Sequence, residues 1–184
     1  MVPSLSPSAD KRTRRAALRA TRAAFARDVA LPVPDAFHDR LKRGLTVAAY
    51  VPLGGETDPA PFVDAARAAG CRIALPHVTD KAHPMRFLHW DGHTLLKGPL
   101  GLLQPPEDAL EAMPDVILTP MLGFDRRGNR LGQGAGHYDR AFATLPDAWR
   151  VGIAWSVQEV EALVADPWDI PLHAIATELE WIEP

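Results

Sequence analysis

The sequence predicts an α/β fold in which a mostly parallel central sheet is flanked by helices. Residues 46–51 form an apolar segment typical of a buried strand, residues 61–69 form a helical segment ended by Gly70, and residues 72–75 are typical of the next strand. This strand–helix–strand order indicates a parallel βαβ unit. A chain of 184 residues with 47% hydrophobic content suits one core, which favours a single domain.

The remaining segments are compatible with this fold. A helix is expected from Asp10, a suitable N-cap, to about Asp28, with an apolar stripe of Leu18, Thr21 and Phe25. The later pattern predicts a hairpin over residues 85–96 around Asp91 and Gly92, strands over 116–119 and 150–155, helices over 138–145 and 158–164, and a strand-like segment over 173–182. Residues 1–9, rich in serine and proline, are expected to be disordered, which leaves 10–184 as the domain.

Composition favours a cytoplasmic protein without a membrane partner. No apolar run approaches the roughly 18 residues that a membrane span requires, and the N-terminus has no secretory-type apolar core. The one cysteine, Cys71, excludes an internal disulfide and fits a reducing compartment. The sequence gives no indication of the number of subunits.

Positive charge is concentrated near the N-terminus. The residues concerned are Lys11, Arg12, Arg14, Arg15, Arg19, Arg22 and Arg27. Such a segment indicates an anionic partner, either nucleic acid or a phosphorylated small molecule. Since the aromatic side chains and the wider basic stripe typical of nucleic-acid binders are missing, a small-molecule partner is the better interpretation.

A glycine-rich segment carries the most specific chemistry. Gly132, Gly134 and Gly136, which define the glycine loop (residues 132–136), alternate directly before a predicted helix. Glycines accept positive φ and let backbone N–H groups converge on an anion, and a helix start adds further donors. Arg130 can bind phosphate oxygens in bidentate fashion, and Asp139 is a suitable Mg²⁺ ligand. The segment 130–140 therefore predicts binding of a nucleoside triphosphate and transfer of its phosphoryl group.

The same segment resembles a known family signature. Arg130-Leu-Gly-x-Gly-x-Gly-x-Tyr-Asp-Arg140, preceded by Pro120-x-x-x-Phe-Asp-x-x-Gly128, is similar to the signature of the 5-formyltetrahydrofolate cyclo-ligase (methenyltetrahydrofolate synthetase) family. Further matches, in chain order, are Lys11-Arg-x-x-Arg15, Tyr50-x-Pro-x-x-x-Glu56-x-Asp58, Gly70 with Leu75-Pro76, Val151-Gly-Ile-Ala154 with Gln158, and Asp169-x-Pro171 with Thr177-Glu178. The resemblance covers nearly the whole chain from Lys11 onward.

The resemblance implies a three-layer fold of the NagB/RpiA/CoA-transferase type and an ATP- and Mg²⁺-dependent ligase. Members of the family convert 5-formyltetrahydrofolate to 5,10-methenyltetrahydrofolate and release ADP and phosphate. Carried over residue by residue, the expected catalytic groups are Lys11, Arg15 and Arg130, the metal ligands are Asp139 and Asp169, and the folate contacts are Val51, Glu56 and Arg15. The expected ATP contacts are Lys11, Arg12, Thr13, Arg14, Arg15, Arg130, Leu131, Gly132, Gln133, Gly134, Ala135, Gly136, His137 and Tyr138.

Three departures from the family pattern concern substrate contacts. His137 stands where the family often has tyrosine, Arg14 where leucine is usual, and Gln104 where glutamate is frequent. Two other functions remain open from the residues. One is a nucleotide- or RNA-binding protein without ring closure, and the other is a family relative that acts on another pterin- or thiamine-like compound. Glu56 could instead cap a helix, and Asp169 could only shape a turn.

Overall fold

The computed structural model describes residues 7–25, 29–80 and 83–184. Its helices are α1 (Pro7–Ala24), α2 (Asp35–His38), α3 (Ala60–Ala68) and α4 (His137–Thr144). Its strands are β1 (Thr46–Ala48), β2 (Arg72–His77), β3 (Arg86–His89), β4 (Leu96–Lys97), β5 (Leu103–Gln104), β6 (Val116–Pro120), β7 (Gly123–Phe124), β8 (Arg130–Leu131), β9 (Trp149–Ile153), β10 (Ala174–Ala176) and β11 (Trp181–Ile182). Among the described helices, none has the length and apolar character needed to cross a bilayer.

The central sheet has the strand order β11-β10-β9-β6-β1-β2-β3. Its five inner strands run parallel, and each edge strand, β11 or β3, pairs antiparallel with its neighbour. The chain passes from β1 through α3 to β2 on one side, and β6 later joins β1 on the other side. In open α/β sheets, the carboxyl edge at such a reversal is where ligands bind.

Helices cover both faces of this sheet. Alternate residues of the inner strands belong to two separate apolar clusters, for example Val47 to one and Ala48 to the other. Phe37 of α2 and Phe62 of α3 pack in the first cluster, and Phe142 of α4 packs in the second. Because a parallel sheet must bury both faces, this arrangement gives the predicted three-layer single domain. The predicted fold class and the βαβ unit are confirmed.

The first helix differs from its prediction in its bounds and its buried face. It begins at Pro7, so Asp10 is not the N-cap, and the described part of the segment expected to be disordered, residues 7–9, is helical. The helix ends at Ala24, whereas residues 26–28 of the predicted helix and residues 1–6 lie outside the described part of the chain. The inward face of the helix contains Leu18 and the residue four positions later, Arg22, which is buried. Thr21, three positions after Leu18, is exposed.

The predicted hairpin over residues 85–96 is wrong. β3 pairs with β2, while β4 pairs with β5, so the two segments do not pair with each other. Asp91 does form a turn, in which its carboxylate accepts hydrogen bonds from the backbone N–H groups of His93 and Thr94 (both 2.8 Å). That turn changes the direction of the chain, but the strands on its two sides do not pair with each other.

The predicted helix over residues 158–164 is also wrong. A 3₁₀ turn spans Ser156–Gln158, and Glu159 then adopts an extended conformation. The backbone N–H of Val160 donates to the carbonyl of Phe124 in β7 (2.8 Å), and that of Leu163 donates to the buried carboxylate of Asp125 (2.9 Å). Tertiary partners therefore satisfy the backbone groups that a helix would have used.

The turn between β7 and β8 depends on Gly128. Its φ is +80°, and an added Cβ would lie 2.7 Å from the carbonyl oxygen of Leu172. We expect Gly128→Ala to destabilise the fold by about 1–3 kcal/mol, because backbone strain and a steric clash with backbone act together. Urea unfolding measures this. The control is Gly132→Ala, which has ordinary backbone conformation and no atom within 4 Å of its Cβ. Equal stability of the two variants would contradict this account of the turn.

Candidate active site

A cavity of about 640 Å³ opens at the carboxyl edge of the sheet, where the strand order reverses. Residues at or after the ends of three neighbouring parallel strands line it: Val51 after β1, Val78 after β2 and Pro120 at the end of β6. Helix α1, the glycine loop and the segment 166–169 complete its walls. The cavity therefore occupies the position that this sheet topology provides for a ligand.

One face of α1 brings positive charge to the cavity. Lys11, Arg15 and Arg22 all line the cavity. Their spacing places them on one side of the helix, which is also the side of the buried Leu18. Leu18 packs with Leu122, Leu131 and Leu163. This basic face of α1 therefore points into the cavity.

The other N-terminal candidates lie elsewhere. Arg12 and Thr13 are exposed and line neither this cavity nor the smaller one beside it. Arg14 lines the smaller cavity, where its Nη1 donates to the carbonyl of Ala162 (3.2 Å). The basic motif of α1 is thus divided between an inward and an outward face.

The glycine loop forms the opposite wall and leads directly into α4. Its residues Gly132, Gln133, Gly134, Ala135 and Gly136 all line the cavity. Gly134 and Gly136 have φ of +105° and +68°, a conformation that favours glycine, and Gly136 is the N-cap of α4. The loop therefore turns tightly against the cavity, and Gly134 and Gly136 adopt the positive φ that glycine permits.

Arg15 joins α1 to the glycine loop. Its Nε donates to the carbonyl oxygen of Gly132 (3.0 Å), and its guanidinium carbon lies 3.4 Å from the position of a Cβ at Gly134. Arg19, one turn further along, donates to the side chain of Gln133 (2.9 Å). Two cationic side chains of the helix are therefore held against the segment that was predicted to bind phosphate.

Arg130 is deeply placed, with only 5% of its side chain exposed. Its Nη2 is paired with the Asp139 carboxylate, and its Nη1 donates to the carbonyl of Ile170 (2.5 Å). The guanidinium carbon also lies 4.5 Å from the centre of the Phe142 ring. Burial lowers the pKa of Arg130, while the nearby carboxylates of Asp139 and Asp169 oppose that shift. These contacts hold the Arg130 guanidinium in one orientation before any ligand binds.

Lys11 meets two carboxylates. Its Nζ lies 2.5 Å from Oδ2 of Asp166 and 3.6 Å from Oδ2 of Asp169, and the Asp169 carboxylate also accepts from the backbone N–H of Asp166 (2.8 Å). Asp169 thus shapes a turn as well as facing the cavity. Asp166 was not among the predicted site residues. The smaller cavity, of about 300 Å³, shares all three residues and Arg130 with the larger one.

The predicted metal ligands lie in the same cavity but do not form an all-protein metal site. Within residues 7–25, 29–80 and 83–184, no group of three or more His, Cys, Asp or Glu side chains is arranged to hold a metal ion. Asp139 and Asp169 are 28% and 24% exposed and both line the cavity. Since Mg²⁺ commonly uses one or two carboxylates together with substrate phosphates and water, these two residues fit a metal that arrives with a nucleotide.

The end of the cavity near β1 has a different character. Val51 and Glu56 lie there, and the Glu56 carboxylate accepts a hydrogen bond from the backbone N–H of Leu53 (3.0 Å). Burial raises the pKa of Glu56 above its ordinary value, although the hydrogen bond from Leu53 and the charge of Arg22 oppose the shift. Glu56 does not cap α3, whose N-cap is Pro59, and the N–H of Ala60 at the helix start donates to the carboxylate of Asp58 instead (2.9 Å). The apolar wall consists of Val51, Leu53, Pro76, Val78, Met85, Leu102, Leu103 and Pro120.

The structure places two of the departures from the family pattern, Gln104 and His137. Gln104 is buried and exchanges two hydrogen bonds with the backbone of Val78, at 3.1 and 3.2 Å, so it supports the cavity wall. His137 begins α4 at the cavity, and its Nδ1 lies 3.2 Å from Nη2 of Arg140. Tyr138 packs edge-on against Phe142, and burial raises the pKa of its phenol.

The fold and this cavity define a class of protein, the α/β proteins with a ligand-sized cavity at the carboxyl edge of a mostly parallel sheet. A sequence model of the 5-formyltetrahydrofolate cyclo-ligase family matches residues 7–178. The chain therefore belongs to that family, and the predicted family and enzyme class are confirmed.

Individual relatives agree. The 5-formyltetrahydrofolate cyclo-ligase of Escherichia coli strain K12 is 35% identical over 144 residues, covering 72% of this chain and 77% of that protein. The protein of the same name from Mycolicibacterium smegmatis is 33% identical over 143 residues, covering 73% and 74%. The NMR structure of 5,10-methenyltetrahydrofolate synthetase from Aquifex aeolicus is similar with a TM-score of 0.73 and 24% identity, covering 94% of this chain and 92% of that one. That similarity supports the fold.

Proposed function

We propose that this enzyme converts 5-formyltetrahydrofolate to 5,10-methenyltetrahydrofolate with ATP and Mg²⁺, and releases ADP and phosphate. The observation that carries the proposal is the composition of the 640 Å³ cavity. Cationic side chains, the glycine loop, the largely enclosed carboxylate of Glu56 and an apolar wall all line it. One cavity therefore offers complementary surfaces to a triphosphate and to a flat heterocycle with N–H donors.

The chemistry requires an activated formyl group. The formyl oxygen is a poor leaving group, so it first attacks the γ-phosphorus of ATP, and the bond from that phosphorus to the bridging oxygen of ADP breaks. N10 of the folate then attacks the formyl carbon and loses its proton. The carbon–oxygen bond breaks last, which releases phosphate and leaves the methenyl bridge. Such phosphoryl transfer depends mainly on positioning and neutralisation of charge.

Lys11, Arg15 and Arg130 supply that neutralisation. Lys11 and Arg15 stand one helical turn apart on the cavity face of α1, so both can address the same triphosphate. Arg130 approaches from β8 with its orientation fixed by Asp139 and Ile170. Backbone N–H groups of the glycine loop and of the start of α4 provide uncharged donors to the same phosphates.

Asp139 and Asp169 are the groups that would hold Mg²⁺. When bound, the metal would neutralise part of the phosphate charge. Asp139 has a second task, because its pairing with Arg130 positions the guanidinium. Asp169 likewise lies within 3.6 Å of Lys11. Each carboxylate is therefore placed to serve both the metal and a neighbouring cation.

Glu56 and Val51 form the folate side of the proposal. A carboxylate accepts hydrogen bonds only, which suits the N–H donors of a pterin ring. Val51 adds apolar surface beside it. Arg15 contacts the glycine loop and lines the same cavity as Val51 and Glu56, so it can contact both substrates.

The inward direction of the basic residues argues against the nucleic-acid alternative. A helix that binds a phosphate backbone presents its cations on an exposed surface. Here Lys11 and Arg15 are partly buried, and Arg22 is buried. Their charge is directed at a cavity of small-molecule size.

The direct test is to mix the purified protein with MgATP and 5-formyltetrahydrofolate and to follow the absorbance of the methenyl product. We expect product only when both substrates and Mg²⁺ are present, with ADP formed in equal amount. ATP hydrolysis without methenyl formation, or turnover of another pterin in preference, would contradict the proposed substrate.

Asp139→Asn tests the metal role. We expect turnover at limiting Mg²⁺ to fall about tenfold, with partial recovery at high Mg²⁺, because an amide is a weaker metal ligand than a carboxylate. Rates measured across a Mg²⁺ titration decide it, with the exposed Asp147→Asn as the control. If the two variants share the Mg²⁺ dependence of the wild type, Asp139 serves only to position Arg130.

A further inference from the structure

Glu56 is a charged group in an unusually enclosed place. Only 9% of its side chain is exposed, although it lines the cavity. Its Oε2 accepts from the Leu53 N–H at 3.0 Å, and its Oε1 lies 3.4 Å from Nε2 of Gln133. Two neutral donors do not compensate a carboxylate that has lost most of its hydration. A nearby positive charge is therefore needed to keep it ionised.

Arg22 supplies that charge. Its side chain is 4% exposed, and its Nη1 lies 3.9 Å from Oε1 of Glu56. The same guanidinium donates to the carbonyl oxygens of Met121 (3.3 Å) and Gly54 (3.2 Å). It thus connects α1 to the segment after β6 and to the turn that carries Glu56, and the planar donor group is fixed from two sides.

We propose that Arg22 is a positioning residue of this active site, which keeps the Glu56 carboxylate ionised and directed at the pterin ring. The inference rests on the proposed function, since it assigns the folate end of the cavity to Glu56. Arg22 acts through Glu56 and not on the reacting atoms. Because Lys11 and Arg15 precede it by three and two turns on the same helix face, α1 also links the triphosphate end of the cavity to the folate end.

If Arg22 had only a structural role, its substitution would lower the stability of the fold. If Arg22 positions Glu56, its substitution affects folate binding, and only while Glu56 is present. The distinction can be measured with Arg22→Met, Glu56→Gln and the double variant. We expect Arg22→Met to raise the folate KM about tenfold or more, since the largely buried ion pair with Glu56 is lost, with a much smaller change in the KM for ATP. In the Glu56→Gln background, the same substitution should change the folate KM less than about twofold.

The pH dependence gives a second measurement. The groups that face Glu56 are Arg22 from α1, Gln133 from the glycine loop, and the phenols of Tyr50 and Tyr138, whose pKa values burial raises. Arg22 is thus the charged neighbour that lowers the pKa of Glu56. In Arg22→Met that pKa rises, so the carboxylate protonates at higher pH. As the pH is lowered, the folate KM of Arg22→Met should therefore begin to increase at a higher pH than the folate KM of the wild type. Glu56→Gln should not show this pH response.

Arg22→Lys is a second variant in case Arg22→Met does not fold. Lysine keeps the positive charge, but its single ammonium group cannot donate to the carbonyls of Met121 and Gly54 and face Glu56 at the same time. We expect a smaller rise in folate KM with a pH response close to that of the wild type. The control is Arg43→Met, an exposed arginine outside both cavities. Equal effects of an Arg22 substitution in the wild-type and Glu56→Gln backgrounds, or equal changes in both KM values, would overturn the proposal. Lack of methenyl formation by the wild type would instead refute the proposed function.

Discussion

Lys11→Ala and Arg15→Ala are each expected to lower kcat/KM for ATP about a hundredfold, because each removes a positioned cation from a partly enclosed phosphate site. The effect of Lys11→Ala has a second cause. Lys11 is paired with Asp166 and Asp169, so its loss leaves two carboxylates facing the incoming triphosphate. Arg15→Ala also removes the hydrogen bond to Gly132 and so loosens the glycine loop.

Steady-state rates with ATP varied at saturating folate measure these effects. Arg43→Ala serves as the control, since that arginine is exposed and lies outside both cavities. Arg12→Ala is informative beside it, because Arg12 belongs to the family motif but lies on the exposed face of α1. We expect Arg12→Ala to have a smaller effect than either inward substitution. Wild-type ATP kinetics in both Lys11→Ala and Arg15→Ala would remove α1 from the phosphate site.

Gly134→Val is expected to abolish measurable ATP binding while the fold is retained. The φ of +105° at this position is strongly unfavourable for a β-branched residue, and the added Cβ would lie 3.4 Å from the guanidinium carbon of Arg15. The side chain would therefore distort the loop and displace a cation from the phosphate path. We expect at least a hundredfold loss of affinity, about 2.7 kcal/mol.

Calorimetric titration of ATP into the variant tests this, with circular dichroism to verify that it is folded. Gly132→Ala is the comparison within the same loop, and we expect a much smaller loss of ATP affinity, because Gly132 has ordinary backbone conformation and no atom within 4 Å of its Cβ. If Gly134→Val bound ATP as the wild type does, the glycine loop would not be part of the nucleotide site.

Local signals in the sequence were sufficient for the elements that build the cavity. The βαβ unit could be predicted because Gly70 ends α3 and the next apolar segment begins immediately. The glycine loop could be predicted because Gly134 and Gly136 must adopt positive φ directly before a helix. Both predictions depend on residues that are close in sequence, where backbone preferences decide the structure.

Features that depend on distant contacts could not be predicted in the same way. Asp166 reaches Lys11 across 155 positions from a segment without regular structure, and no motif marks it. The burial of Arg22 was missed because the apolar stripe was assigned to Thr21, whereas the carbonyls of Met121 and Gly54 make it possible to bury a guanidinium. Residues 158–164 have a helical pattern, but partners in β7 and at Asp125 determine their conformation.

The central claim, that ATP phosphorylates the formyl oxygen of a folate bound in this cavity, can be tested with an isotope. The formyl oxygen of 5-formyltetrahydrofolate is replaced by a heavy isotope, and the phosphate released during turnover with unlabelled MgATP is analysed by mass spectrometry. Because the carbon–oxygen bond breaks after the oxygen has joined phosphorus, each released phosphate should carry one heavy oxygen atom. Unlabelled phosphate, with methenyl product formed at the normal rate, would contradict the account.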